Sequence, residues 1–217
     1  MKNKYFDKQK QNLVEYWKKE GIVKDKKIID AFMKVPREEF VPKNLREYAY
    51  DDAPLPIGYN STISQPTTIV MMLEWLELEN KEDFKILEIG TGSGYNPVLI
   101  GEICNKGKVF SLEIIPELIF RARDVIKKLG IKNVKIVEDN GALGYNIEKM
   151  FDRIIVTAAC NDIPKELIKQ LKEDGIILAP VNSKHGDYQN MIKGVKKHGV
   201  LITKELGEFR FVPLKEK

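Results

Sequence analysis

From residue 84 onward, short apolar runs alternate with longer amphipathic stretches, and the two differ in period. Lys85–Ile89, Lys108–Leu112, Val134–Glu138, Arg153–Thr157 and Ile176–Val181 read as strands, bounded by glycine and polar turns. Asn96–Cys104, Pro116–Leu129 and Pro164–Leu171 repeat their apolar positions at helical spacing. Pro116 and Pro164 stand at first-turn positions, where a missing N–H leaves no bond unmade. This alternation predicts parallel strands joined by right-handed crossovers, with helices on both faces. The pattern then changes. Tyr188–Lys196, Gly199–Leu206 and Phe209–Leu214 read as strands linked by short turns, with Lys197-His198-Gly199 as a hairpin.

The first fifty residues have a different rhythm. Leu13, Val14 and Trp17, then Ile28, Ile29, Phe32 and Met33, recur at three-to-four spacing, with Gly21 dividing two helices. Pro36, Pro42, Pro54 and Pro56 come next, so the chain to Gly58 is expected to be extended and stiff. Pro66 can open a helix running from Thr67 to about Leu78, which puts Ser64 and Gln65 just ahead of its positive end. The expected organisation is one domain over 1–217. It comprises a helical, substrate-side extension (1–66), a cofactor-binding core (67–182) and antiparallel C-terminal strands (183–217).

Composition narrows the class of molecule. The 36 basic and 32 acidic residues leave a net charge of +4, and the basic residues are scattered. A solvated surface is expected, and no nucleic-acid partner. No apolar run approaches the about 18 residues of a membrane span, and Met-Lys-Asn-Lys is not a signal core. Cys104 and Cys160 lack C-x-x-C spacing and read as buried free thiols in a reducing, cytoplasmic setting. His185 and His198 are expected at the surface, Trp17 and Trp75 in the core, and no metal site is expected.

Candidate chemistry concentrates where the first core strand ends, at Ile86-Leu87-Glu88-Ile89-Gly90-Thr91-Gly92-Ser93-Gly94. Glycine lets a backbone turn sharply and approach a ligand. The spacing is not the G-x-G-x-x-G of dinucleotide sites. Glu88, two residues before the first glycine, suits a ligand carrying an amino group and no pyrophosphate. Glu113 ends the next strand, in register to accept hydrogen bonds from ribose hydroxyls. Glu138-Asp139-Asn140-Gly141-Ala142-Leu143-Gly144 comes after the third strand and suits an adenine edge. The constellation resembles the first motif of class I methyltransferases, which implies S-adenosyl-L-methionine as cofactor. Glu88, Gly90, Thr91, Gly92, Gly94, Glu113, Asn140 and Gly141 would hold it.

Further residues narrow the resemblance. Val35-Pro36-Arg37, Phe40-Val41-Pro42, Ala49-Tyr50, Asp52, Pro54–Gly58 and Thr62-Ile63-Ser64-Gln65-Pro66 are similar to the N-terminal signature of protein-L-isoaspartate O-methyltransferases. Pro116-Glu117-Leu118, Val156-Thr157-Ala158-Ala159, Pro180-Val181, Leu206-Gly207 and Arg210–Leu214 continue in the family's order, so the likeness runs from about residue 30 to the C-terminus. It implies a Rossmann-like, doubly wound, mostly parallel seven-stranded α/β sheet with an N-terminal helical extension and antiparallel C-terminal strands. It also implies methyl transfer to the free α-carboxylate of L-isoaspartyl residues in damaged proteins and peptides. Ser64 matches the family's active-site serine, and Thr62, Ile63, Ser64 and Val212 would bind the acceptor. Taken alone, Ser64 also reads as the N-cap of the next helix. The family's third motif is Gly-Asp-Gly, where this chain has Asp139-Asn140-Gly141. Either Asn140 accepts the adenine amine through its amide oxygen, or Asp139 substitutes. Asn96-Pro97 replaces a glutamine and small residue. The alternatives are a methyltransferase acting on RNA or on an aspartate of another peptide, and a cofactor-binding module without catalysis.

Overall fold

The computed structural model describes residues 2–79, 81–148 and 150–215. Two helices open the chain, α1 (Lys2–Lys19) and α2 (Lys26–Lys34), parted by Gly21 in the left-handed region at φ +66°. The proline-rich segment forms two short 3-10 turns, Arg37–Glu39 and Lys43–Tyr48. A small antiparallel hairpin comes next, β1 (Leu55–Gly58) and β2 (Ser61–Ile63), and leads into α3 (Pro66–Trp75). The prolines predicted an extended path, but not its reversal. Tyr59 and Asn60 turn the hairpin at φ +56° and +55°, the primed geometry that suits twisted strands although it costs a tyrosine strain.

The main sheet has seven strands in the order β5-β4-β3-β6-β7-β8-β9. They are β3 (Lys85–Ile89), β4 (Lys108–Glu113), β5 (Val134–Glu138), β6 (Phe151–Val156), β7 (Leu171–Asn182), β8 (Gln189–Lys197) and β9 (Val200–Phe209). The first five in that order are parallel, and β8 and β9 return antiparallel. Helices α4 (Tyr95–Ile103), α5 (Pro116–Lys128) and α6 (Lys165–Gln170) make the crossovers. The doubly wound sheet predicted from the apolar pattern is therefore present.

Alternation along β3 sorts the core into two clusters. Ile86 joins Val98, Val109 and Ile155, and the same cluster takes in Leu13 and Trp17 of α1 with Ile28 and Phe32 of α2. Leu87 and Ile89 face the other side, with Leu112, Ile154, Val156, Leu167 and Ile177. Trp17 is fully buried, and His185 and His198 are exposed.

The C-terminal end differs from expectation. β9 runs through the predicted break at 207–208, with a bulge there: Asn190 faces Glu208 while Ile192 faces Glu205, so β9 carries one extra residue. A bulge bends its strand and re-aims the residues beyond it. Residues 210–215 are then a tail, not the expected strand Phe209–Leu214. Pro213 lacks an N–H for a ladder, and the tail's backbone is held by Ala159, which donates to the Val212 carbonyl and accepts from Leu214 N, each at 2.8 Å, and by Gln189 Oε1, which accepts from Phe211 N at 2.8 Å. Helix α3 stops at Trp75, before Glu77 takes a left-handed φ of +54°.

Helix α3 has no cap from Gln65 or Ser64; Asp52 supplies one from outside. Its carboxylate accepts from Thr67 N at 2.9 Å and from Thr67 Oγ1 at 2.6 Å, and Trp17 Nε1 donates to the same Oγ1 at 2.7 Å. Asp52 thus anchors the first turn of α3, and Trp17 ties the same turn to α1. Replacing Asp52 by alanine is expected to cost about 1 kcal/mol, a typical cap loss. In thermal unfolding this should lower Tm by about 2–4 °C; an unchanged Tm would exclude the cap.

Candidate active site

Strand order reverses between β3 and β6, because the chain leaves β3 for β4 on one side and enters β6 on the other. Ligands of open α/β sheets bind in the crevice that opens there at the strands' carboxyl ends. Thr157, just past β6, bridges the crevice floor: its N–H donates to the Ile89 carbonyl at 2.9 Å and its Oγ1 to the Gly90 carbonyl at 2.6 Å. Gly90 is at φ +93°, and a Cβ on it would lie 2.7 Å from Thr157 Oγ1. Only glycine allows both the turn and the contact.

Above this floor lies a cleft of about 900 Å³, its open mouth included. Glu88, Gly90, Thr91, Gly92, Glu113 and Gly141 all line it. Gly141 opens the 3-10 turn Gly141–Leu143, and a Cβ there would stand 2.2 Å from Ile89 Cγ2, so glycine lets this turn pack closely on the end of β3. Two predicted residues stand outside the lining. Gly94 caps α4 and packs on Ala122 of α5. Asn140 turns its amide oxygen onto Ala142 N at 3.0 Å, capping the 3-10 turn, and Asp139 takes the cleft-facing position. Of the two alternatives for this motif, the cleft-facing placement is that of Asp139, while the Asn140 side chain is engaged in its own turn.

Glu88 is fully buried. Ser111 Oγ donates to one carboxylate oxygen at 2.5 Å and Asn96 Nδ2 to the other at 2.6 Å. Thr91 Oγ1 lies 2.6 Å from Ser111 Oγ and extends the network. Burial outweighs these bonds and, with nearby Glu113, pushes the Glu88 carboxyl up to about 8. Asn96 Oδ1 is buried and has no partner among the described residues. A buried acid without a counter-charge, next to an orphaned acceptor, fits a ligand that brings a cationic N–H donor. Glu113 accepts from Gly92 N and Ile114 N, each at 2.9 Å, which fixes its carboxylate at the cleft edge. Sequence reasoning missed Asn96 and Ser111; both become visible only as neighbours of Glu88.

A second, wider groove adjoins the cleft, lined by Pro54, Gln65, Thr68, Met71 and Tyr188 and by Glu208–Val212 of the β9 end and tail. Thr62, Ser64, Thr157 and Val212 line both spaces, so these four side chains form the wall between them. The Ser64 hydroxyl makes no hydrogen bond within the described residues and caps no helix. Ile63 is buried and lines only the cleft. Among the described residues no cluster of three metal-ligating side chains occurs, and no helix is long and apolar enough to cross a membrane.

The raised Glu88 carboxyl has a thermal signature. Its pKa lies above the ordinary 4.5 only in the folded chain, so the fold holds a proton that the unfolded chain releases. Stability is therefore lost as pH climbs from about 4.5 through about 8. Glu88→Gln removes that dependence. Its Tm should exceed that of the parent by several degrees at pH 9 and by little at pH 5; an equal difference at both pH values would refute the assignment.

The chain is similar to well-described proteins along almost its whole length. The family model for protein-L-isoaspartate(D-aspartate) O-methyltransferase matches residues 8–217. A protein-L-isoaspartate O-methyltransferase of Ignicoccus hospitalis is 43% identical over 97% of this chain and 99% of its own length. One of Dictyoglomus turgidum is 46% identical over 98% of this chain and 93% of its own. The crystal structure of a Plasmodium falciparum protein-L-isoaspartate O-methyltransferase in complex with S-adenosyl-L-homocysteine superposes with a TM-score of 0.84, at 28% identity over 95% of this chain and 98% of that one. With its fold, its switch-point cleft and matches of this extent in agreement, the chain belongs to the protein-L-isoaspartate O-methyltransferase family.

Proposed function

We propose that this protein transfers a methyl group from S-adenosyl-L-methionine to the free α-carboxylate of L-isoaspartyl residues in damaged proteins and peptides, with Ser64 orienting that carboxylate. The resulting ester leaves more readily than a carboxylate, so the acceptor chain can reclose to a succinimide and reopen as normal aspartate. The observation that carries the reading is the shared wall of Thr62, Ser64, Thr157 and Val212. A nucleoside ligand in the cleft and a polypeptide in the groove would face each other across it.

When bound, S-adenosylmethionine supplies a methyl carbon already activated on a sulfonium. The acceptor is equally ready, since a carboxylate with a pKa near ~4 is ionised at neutral pH. No base is needed, and the protein's task is to align oxygen, carbon and sulfur at about 3 Å. Ser64, with a free hydroxyl at the wall, donates to the carboxylate and fixes its orientation. Thr62 and Val212 confine the acceptor on the groove side, and the backbone of Ile63 shapes the cleft side. Glu88 and the Asn96 carboxamide oxygen receive the cofactor's ammonium, Glu113 the ribose hydroxyls, and Asp139 with Gly141 the adenine end; Gly90, Thr91 and Gly92 supply the close backbone approach. Buried, unpaired Cys104 and Cys160 support a reducing, cytoplasmic setting.

The purified protein should methylate an isoaspartyl peptide and leave its aspartyl twin unmodified. Equal transfer to both, or none with S-adenosylhomocysteine binding confirmed, would defeat the assignment. Ser64→Ala should lower turnover on the isoaspartyl peptide by about 10²-fold, the scale of a lost aligning contact. Calorimetry should find its affinity for S-adenosylhomocysteine unchanged; a parallel loss of affinity would place Ser64 in cofactor binding instead.

A further inference from the structure

Arg37 is fully buried in the 3-10 turn after α2. Its bonded partners are two backbone carbonyls rather than a carboxylate: Nε donates to Ala49 at 2.6 Å and Nη2 to Ser64 at 2.8 Å. Asp52 acts on it only at longer range, and burial brings its guanidinium down to about 10, still charged at neutral pH. Its guanidinium carbon lies 5.2 Å from the centre of the Tyr95 ring, and Tyr95 lines the cofactor cleft. Nη1 is buried without a partner among the described residues. A charge placed this way costs free energy that an apolar side chain of similar volume would not. Packing alone therefore does not explain an arginine here.

The location of its bonds does. Ser64 and Gln65 are the only residues between β2 and α3. Downstream, Asp52 holds Thr67 through both N and Oγ1. Upstream, Arg37 holds the Ser64 carbonyl. Two side chains from remote segments thus grip the connector at both ends, while the Ser64 hydroxyl stays free at the wall. The planar guanidinium spans Ala49 and Ser64 with a fixed fork, which a lysine ammonium does not reproduce.

We propose that Arg37 is a positioning residue for methyl transfer: by fixing the Ser64 carbonyl it sets the backbone orientation from which the Ser64 hydroxyl meets the acceptor carboxylate. This rests on the reading of Ser64 as the carboxylate-orienting group. The test is a double-mutant cycle of Arg37→Met and Ser64→Ala in the full chain, with turnover on an isoaspartyl peptide, its KM and the Kd of S-adenosylhomocysteine measured for each variant. Arg37→Met alone should lower kcat by about 10²-fold, as a displaced aligning group does. In the Ser64→Ala background it should cost about 3-fold or less, since residues acting as one unit are non-additive. The Kd of S-adenosylhomocysteine should stay within about 3-fold of the parent's, the spread of an uncoupled site. Arg37→Lys, which keeps the charge and reaches one carbonyl, should fall between the parent and Arg37→Met, and its own cycle with Ser64→Ala decides if Arg37→Met does not fold. Losses that multiply across the cycle, or cofactor affinity falling in step with turnover, would overturn the proposal. Full turnover in Ser64→Ala alone would instead remove the reading of Ser64 on which it stands.

Discussion

Thr157 Oγ1 donates to the carbonyl of Gly90 at 2.6 Å, across the point where the sheet changes direction. The crossovers from β3 and β6 leave on opposite sides there, so their ends face a crevice with no strand between them. Tying the two ends together defines the crevice floor and places one side chain at the junction of both cavities. The other wall residues are referred to that junction. Thr62 and Ser64 reach it from the β1–β2 hairpin, and Val212 from the tail that Ala159 holds. Gly90 is the permissive half of the bond, since any Cβ would occupy the space of the threonine hydroxyl.

Around this junction the chain buries an ionisable acid and a guanidinium without ion-pairing either. Glu88 is left with hydroxyl and amide donors, Arg37 with carbonyls and an aromatic face. Their roles differ. Desolvation of Glu88 is a debt that a cationic ligand can settle, so the free protein is less stable than its packing allows and binding restores the difference. Arg37 lines neither cavity, and its cost is offset by geometry: it holds the Ser64 carbonyl of a two-residue connector whose Gln65 carbonyl is held by Ile69 N. Sites that break the rule against lone buried charge are where function is expected.

The parallel part of the sheet was legible from period, because inner strands buried on both faces, such as β3 and β6, must be apolar runs. Glu88, Glu113 and the glycines were legible because strand ends have a fixed register to the cleft. The hairpin at Tyr59 and Asn60 was not, since a tyrosine at positive φ runs against its own preference and tertiary contacts hold it. Arg121 donates to the Ile57 carbonyl at 2.9 Å, and Lys215 to the Tyr59 carbonyl at 3.0 Å. Arg37 and Asp52 entered only as parts of a family signature, because their chemistry is directed at backbone atoms more than ten residues away. A sequence does not display the targets of such bonds.

Asn140 shows the opposite limit, a position where the side chain is engaged by its own turn rather than aimed at the cleft. An Asx residue before a 3-10 turn has two competing uses for its side-chain oxygen, the ligand in front and the turn's own N–H groups behind. At Asn140 the amide oxygen is turned to the cap, accepting from Ala142 N at 3.0 Å, and the residue stands outside the cleft lining. Asp139 has two oxygens; one accepts from Asn140 N at 2.8 Å, leaving the other for the cleft it lines. Turn capping and the cleft-lining carboxylate are thus divided between two neighbouring side chains.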